Sequence, residues 1–112
     1  PARRADPMTA GKPLRIAIAG LGTVGGGVVE LLSKNRALIA ARAGRPLGIV
    51  AVSARSRSKK RGFSLPSSAT WVKNAADLAA LENADVVVEL IGGAEGASRR
   101  LVTAALEAGK PV

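Results

Sequence analysis

The sequence predicts an α/β fold with a parallel, doubly wound sheet. Three short apolar runs, at residues 14–20, 47–54 and 84–93, have the length and the valine and isoleucine content typical of buried strands. Segments with helical spacing of apolar residues follow the first and third runs. Because strands alternate with helices, neighbouring strands should run parallel. The chain supplies about four strands and the start of a fifth, so we expect an incomplete sheet, since folds of this kind have about six.

The first helix should begin near Thr23 and continue to Gly44, where the glycine and the nearby Pro46 end it. Helical spacing assigns a set of apolar residues to its core-facing side, while Glu30 and Lys34 belong to the other side. The predicted core-facing residues are Val24, Val28, Leu31, Leu32, Leu38 and Ile39.

The second half of the chain should add two shorter helices and two short strands. Asn74 is a suitable N-cap for a short helix at residues 74–82. A further helix should occupy residues 94–109. We expect a short edge strand at residues 69–73 and the first step of another strand at residues 110–112. The last helix should turn one apolar face inward, made of Ala97, Leu101, Ala104, Ala105 and Ala108.

Length and composition limit the classes of function. The chain has 112 residues, which suits one small domain; we expect a flexible leader at residues 1–13, a domain at residues 14–112, and a longer parent protein. It has no cysteine and no histidine, which excludes a disulfide framework, a Cys/His zinc site and a histidine acid–base pair. We assign no metal. No apolar run has the length of a membrane span or of a signal-peptide core, so we expect a cytoplasmic protein without a membrane partner.

A glycine-rich motif joins the first strand to the first helix. Gly20, Gly22 and Gly25 form a G-x-G-x-x-G pattern in which the strand ends on the first glycine. In that setting the first glycine permits the tight turn, the second lets a pyrophosphate approach the backbone, and the third allows the helix to pack against the strand. The N-terminus of the helix then offers free N–H groups and a positive dipole end to the anion. The motif therefore predicts a Rossmann-like dinucleotide-binding site.

A basic cluster follows the second strand, and it accounts for much of the net charge of +9. Five of the seven residues from 55 to 61 are basic, which is compatible with a nucleic-acid patch, with solvated charge or with a phosphate site. The scarcity of aromatic residues argues against a platform that stacks bases. In a dinucleotide-binding fold this position lies beside the adenosine ribose, where arginine accommodates the 2′-phosphate of NADP. Arg55 is our first candidate for that contact and Lys59 the second, although Arg55 lies 30 residues after Gly25 and the usual spacing is about 20.

Several stretches together resemble the N-terminal nucleotide-binding domain of homoserine dehydrogenases. They are IAIAGLGTVGGGVVELL, NRALIAARAG, IVAVSARS, DVVVELIGG and LVTAALEAGKPV, and the resemblance covers nearly all of residues 14–112. The long first helix of that family also accounts for the wide spacing before Arg55. The combination of VELIGG with ALEAGKPV is more specific than the glycine motif.

The resemblance implies NADP(H)-dependent interconversion of L-homoserine and L-aspartate 4-semialdehyde, with NAD(H) as the alternative cofactor. It implies that Leu21, Thr23 and Val24 belong to the pyrophosphate loop and that Ala54 lies with Arg55 at the adenosine ribose. Gly92 and Gly93 would lie near the nicotinamide. It further implies a homodimeric parent whose small-molecule substrate is handled by another domain, so that this chain alone binds cofactor at best. We assign no catalytic residue.

Glu89 is the one carboxylate considered for a functional role, because it comes at the carboxyl end of a strand, where such sheets bind ligands. No histidine or second carboxylate is placed as a catalytic partner, so a structural or cofactor-side role is favoured. Two other hypotheses remain open at this point. One is the cofactor domain of another NAD(P)-dependent reductase of an amino-acid pathway, and the other is a non-catalytic nucleotide-binding or nucleic-acid-binding module.

Overall fold

The computed structural model describes residues 12–55, 64–91 and 96–112. Its elements occur in the order β1 (Leu14–Ala19), α1 (Thr23–Lys34), α2 (Arg36–Ala43), β2 (Leu47–Ser53), β3 (Thr70–Trp71), a 3-10 helix (Ala75–Ala80), β4 (Val86–Glu89) and α3 (Ala97–Glu107). Strands and helices alternate as the sequence predicts, and the predicted α/β, doubly wound class is confirmed.

The sheet has the strand order β3-β2-β1-β4, and each pair of neighbours among the described strands is parallel. β3 is the short edge strand expected at residues 69–73. On the opposite side the N–H of Val87 donates a hydrogen bond of 2.9 Å to the carbonyl of Pro111. The segment after α3 therefore begins to pair with β4, as expected for the start of a fifth strand.

The two faces of the sheet carry two different cores, because successive side chains of a strand point to opposite faces. On the face covered by α1, large branched side chains are buried, including Ile16, Ile18 and Val52. On the face covered by the 3-10 helix and α3, the strands present mainly alanines, such as Ala17 and Ala51. The small strand residues on this second face leave room for Leu78, Leu101 and Ala105, which come from the helices.

The predicted first helix is divided in two at Asn35, which is the C-cap of α1 and the N-cap of α2. Gly44 ends α2 as expected. The short helix after Asn74 is a 3-10 helix, and among the described residues no side chain caps it. In α3 the predicted inward residues Leu101 and Ala105 are buried, whereas Ala108 is exposed.

The predicted core-facing side of the first helix is wrong for three of its six members. Val24, Leu31 and Leu38 are 62%, 56% and 50% exposed, whereas Gly25 and Gly26 are buried together with Val29. The helix approaches the sheet most closely where it has no side chains. A hydrophobic pattern does not detect such a face, because glycine contributes little to it.

The amino-terminal edge of the sheet, where β1, β2 and β4 begin, is closed by charged side chains. The guanidinium of Arg15 donates two hydrogen bonds to the carboxylate of Asp85, at 3.1 and 2.9 Å, and the backbone N–H of Arg15 donates a third at 2.8 Å. These bonds lower the pKa of Asp85 to about 2. Arg45 donates to the carbonyls of Lys12 and Pro13 at 2.8 and 3.1 Å, so the last two residues of the predicted leader contact the domain.

Candidate dinucleotide-binding site

Three strands end at the same level on the carboxyl-terminal edge of the sheet. Ala19, the last residue of β1, is in register with Ser53, the last residue of β2, on one side. On the other side it is in register with Glu89, the last residue of β4. Ligands of open parallel sheets bind outside the carboxyl ends of the strands. This edge is therefore where the geometry places a candidate site.

Backbone hydrogen bonds join the start of the glycine loop to β2 and the end of β1 to the segment after β4. The N–H of Gly20 donates to the carbonyl of Ser53 at 2.8 Å, and the N–H of Leu90 donates to the carbonyl of Ala19 at 2.8 Å. The side chain of Leu21 is only 6% exposed and packs with the core on the α1 face. The start of the loop is thus fixed by backbone hydrogen bonds on both sides of β1 and by the buried side chain of Leu21.

The first and third glycines of the motif are required by close packing. Gly20 has a φ of +97°, and a Cβ built on it would lie 2.8 Å from the carbonyl carbon of Leu90. A Cβ on Gly25 would lie 1.9 Å from the carbonyl oxygen of Gly20. A side chain at either position would therefore displace backbone, and backbone can yield only if the loop or the helix moves.

The second glycine is different, because space is open beside it. Gly22 is exposed, and among the described residues no atom lies within 4 Å of a Cβ built on it. It is the N-cap of α1, where no side chain among the described residues makes a capping hydrogen bond. The first N–H groups of an α-helix have no acceptor within the helix, and the first turn of α1 contains no acidic residue. The loop thus offers backbone donors and a positive dipole end to an anion, in a space that a side chain would fill.

The predicted adenosine-side residues stand at the end of β2. Ala54 is half-buried and Arg55 is exposed, directly after the last strand residue. Ser53 is the last residue of β2 and is 5% exposed. Its carbonyl receives the Gly20 hydrogen bond, so Arg55 emerges two residues from a direct contact with the glycine loop. Lys59, Gly92 and Gly93, also predicted for the site, lie outside the described residues.

The structure adds Leu90 and Ile91 to the residues that shape the loop. Their backbone atoms lie against Gly20, and Ile91 donates its N–H to the side-chain oxygen Oε1 of Glu89. The sequence analysis considered Glu89 but predicted neither its hydrogen bond to Ile91 nor the packing of Leu90 on Gly20. No local sequence pattern marks which distant residue packs against a glycine. In the described residues no group of three His, Cys, Asp or Glu side chains is placed to hold a metal ion. None of the described helices combines the length and the apolar character needed to cross a membrane.

A parallel sheet of order 3-2-1-4, with a glycine loop between β1 and α1, matches the first four strands of a Rossmann-type sheet. The class of protein that this fold and loop define is a Rossmann-like nucleotide-binding domain.

A family model described as the NAD-binding domain of homoserine dehydrogenase matches residues 20–112. The chain belongs to this family, which confirms the resemblance found in the sequence. Homoserine dehydrogenase of Neisseria gonorrhoeae is 42% identical over 101 residues, which are 90% of this chain and 22% of that protein. The enzyme of Pseudomonas aeruginosa is 42% identical over 102 residues, with the same coverage of 90% and 22%. The chain therefore spans about a fifth of the length of these relatives.

Solved structures agree with the family assignment. The crystal structure of a homoserine dehydrogenase from Thiobacillus denitrificans is similar with a TM-score of 0.75 and 38% identity, over 88% of this chain and 22% of that one. The homoserine dehydrogenase of S. aureus at pH 7.5 gives a TM-score of 0.76 and 31% identity, over 88% and 25%. A nicotinamide dinucleotide is accordingly the class of cofactor of this domain.

Proposed function

We propose that this chain is the NADP(H)-binding part of an enzyme that interconverts L-homoserine and L-aspartate 4-semialdehyde. The observation that carries the cofactor proposal is the open space at Gly22, between strands that end in register. The family and the named relatives support the substrate pair. When bound, the nicotinamide would accept or donate a hydride; the residues of this chain bind and orient the cofactor.

The pyrophosphate would lie over the N-terminus of α1, in the loop formed by Gly20, Leu21, Gly22, Thr23, Val24 and Gly25. The loop fits this group because its exposed donors are backbone N–H groups that no acidic side chain in the first turn of α1 opposes. A negative charge at this helix end is favoured by the dipole and by the free N–H groups. The loop would thereby fix the middle of the cofactor relative to all three strands.

The adenosine half would lie at the end of β2, beside Ala54 and Arg55. The guanidinium group of Arg55 is exposed and adjoins the edge at which the loop opens, and arginine binds phosphate with two parallel N–H donors. No aspartate or glutamate occurs between residues 47 and 61 to bind a free 2′-hydroxyl. These features support a preference for NADP(H) over NAD(H). Lys59 remains the second candidate for the 2′-phosphate, and Gly92 and Gly93 remain candidates for the nicotinamide side.

Substrate chemistry is proposed to take place with residues outside this sequence. The relatives are about five times as long as the part that this chain matches, so most of such an enzyme lies outside the matched part. A homodimeric, cytoplasmic parent enzyme is part of the same proposal.

The cofactor preference can be tested by titrating the chain with NADPH and NADH and by replacing Arg55. Arg55→Glu should weaken NADPH binding about 30-fold, because a charge-assisted hydrogen bond to phosphate contributes roughly 2 kcal/mol. NADH binding should change little. Arg42→Glu is the matched control: it also reverses an exposed charge, but on α2, which leads to the opposite edge of the sheet.

Three results would count against this proposal. Equal affinity of the unaltered chain for NADPH and NADH would remove the role of a 2′-phosphate contact. Loss of NADPH affinity in Arg42→Glu as large as in Arg55→Glu would show that the effect is one of net charge rather than of a defined contact. Oligonucleotide binding with a steep salt dependence, without competition by NADPH, would favour a nucleic-acid-binding module.

A further inference from the structure

We propose that Glu89 is a positioning residue of the cofactor site, which acts by fixing the turn after β4 against the glycine loop. This inference rests on the proposed function, because it assumes that the loop binds the dinucleotide. It goes further in assigning a task to a carboxylate at the ligand-binding edge of the sheet, which accepts a hydrogen bond from the backbone of Ile91.

The turn after β4 is packed against the first glycine of the loop. A Cβ on Gly20 would lie 2.8 Å from both the carbonyl carbon and the oxygen of Leu90, and 2.9 Å from the nitrogen of Ile91. The N–H of Leu90 also donates to the carbonyl of Ala19, immediately before the loop. The turn and the loop are therefore in backbone-to-backbone contact, which allows neither of them to shift independently.

Glu89 holds the far side of this turn. Its side-chain oxygen Oε1 accepts a hydrogen bond from the N–H of Ile91, two residues further on. A hydrogen bond to an ionised carboxylate is stronger than one between neutral groups. Ile91 is 41% exposed, so apolar burial alone provides little restraint on its backbone. The carboxylate supplies that restraint.

A shift of the turn would be transmitted to the anion-binding end of α1. Gly20 is in contact with Gly25, since a Cβ on Gly25 would lie 1.9 Å from the Gly20 carbonyl oxygen and 4.0 Å from Cδ1 of Leu90. Gly25 belongs to the first turn of α1, and the N–H of Gly26 donates to Gly22 at 2.8 Å. Beyond the Glu89 carboxylate, the path to the exposed N–H groups thus runs mainly through backbone contacts.

This arrangement predicts which part of the cofactor depends on Glu89. The glycine loop would bind the pyrophosphate, and the end of β4 faces the half of the site away from β2, because β1 lies between them. The 2′-phosphate contact at the end of β2 should not depend on the β4 turn. Glu89 should therefore matter for the whole dinucleotide but little for adenosine 2′-monophosphate, which has the 2′-phosphate and no phosphate that could reach the glycine loop.

The test measures the affinity of the 112-residue chain for NADPH and for adenosine 2′-monophosphate by calorimetry. Glu89→Ala should weaken NADPH binding about tenfold, the size expected for loss of one charge-assisted hydrogen bond, and should leave the affinity for the monophosphate within about twofold. Glu89→Gln keeps an oxygen acceptor at the same distance and should restore most of the NADPH affinity. Glu82→Ala, which removes an exposed glutamate from the turn that precedes the same strand, is the control.

The outcomes distinguish failure of the positioning role of Glu89 from failure of the proposed cofactor binding. If the unaltered chain binds NADPH and Glu89→Ala binds it equally well, the positioning role is wrong and the proposed function stands. If the unaltered chain binds no NADPH, both fail. Equal losses for NADPH and adenosine 2′-monophosphate would show general disruption and would also overturn the positioning role. Should Glu89→Ala not fold, Glu89→Asp, whose shorter side chain does not reach Ile91 in the same way, takes its place with the same expected results.

Discussion

The two edges of the sheet are built by different means. On the amino-terminal edge, charged side chains close the structure, with Arg15 bonded to Asp85 and Arg45 bonded to carbonyls of the preceding segment. On the carboxyl-terminal edge, the described contacts are mainly backbone to backbone, and three positions, Gly20, Gly22 and Gly25, have no side chain. The comparison teaches that one edge is held by side-chain contacts, while the other is held by backbone packing and keeps its helix donors available for a ligand.

The largest expected effect comes from filling the closest contact of the carboxyl-terminal edge. Gly25→Ala would place a Cβ 1.9 Å from the Gly20 carbonyl oxygen, so α1 must move away from the sheet. We expect a loss of about 3 kcal/mol in the free energy of unfolding, at the upper end of overpacking costs, together with loss of NADPH binding. Urea unfolding and a cofactor titration measure the two quantities.

Gly27→Ala provides the matched control for that experiment. Gly27 lies in the same helix, is exposed, and has no described atom within 4 Å of a Cβ. This substitution should raise the free energy of unfolding by about 0.8 kcal/mol, the helix preference of alanine over glycine, and leave NADPH binding unchanged. Equal destabilisation by both variants would contradict the packing argument.

A second substitution should separate stability from binding at the same edge. Gly22→Ser fills the open space beside the N-cap and brings a hydroxyl oxygen that can cap α1 itself. Since serine is at least as good an N-cap as glycine, the free energy of unfolding should stay within about 0.5 kcal/mol of the unaltered value. NADPH binding should fall about tenfold, because the side chain competes for the helix donors and adds bulk. Undiminished affinity would show that the pyrophosphate does not lie there.

The smallest expected effect concerns the amino-terminal edge. The pKa of Asp85 is about 2 in the folded protein, below the value of about 3.9 for an unfolded aspartate. Its contribution to stability is therefore fully present above pH ~4 and is lost as the pH falls through about 2. Asp85→Asn should lower the free energy of unfolding slightly at pH 7, as for other exposed ion pairs, and should flatten its decline between these two pH values.

NADPH binding by the Asp85→Asn variant tests whether the two edges of the sheet are independent. NADPH affinity at pH 7 should not change, since Asp85 lies at the edge opposite the glycine loop. Glu82→Gln, in the preceding turn and exposed, serves as the control for removing one acidic charge. A fall in affinity specific to Asp85→Asn would show that the two edges are coupled.

Much of the carboxyl-terminal edge could be predicted from the sequence, because its signals are local. The motif from Gly20 to Gly25 marks both the turn and the start of α1, and the apolar runs identify the strands that flank it. The order of the strands then follows from the general rules of the fold. What the glycines contact could not be predicted, since Leu90 lies 70 residues beyond Gly20 in the chain.

The amino-terminal edge and the face of α1 were less accessible to sequence reasoning. Arg15 and Asp85 are also 70 residues apart, and no local sequence pattern at either residue predicts an ion pair. The buried face of α1 consists partly of Gly25 and Gly26, so apolar periodicity selected Val24 and Leu31, which are exposed. Asn35 divides the predicted helix without a proline or glycine to signal it.

The most direct test of the account is a map of backbone amide shifts of the chain by nuclear magnetic resonance during NADPH titration. The account predicts that shifts concentrate at residues 20–25, 54–55 and 90–91. Amides of the amino-terminal edge, such as those of Arg15, Arg45 and Asp85, should remain unperturbed. Saturable shifts at the amino-terminal edge, or an unperturbed glycine loop in the presence of bound cofactor, would contradict the assignment of binding to the carboxyl-terminal edge.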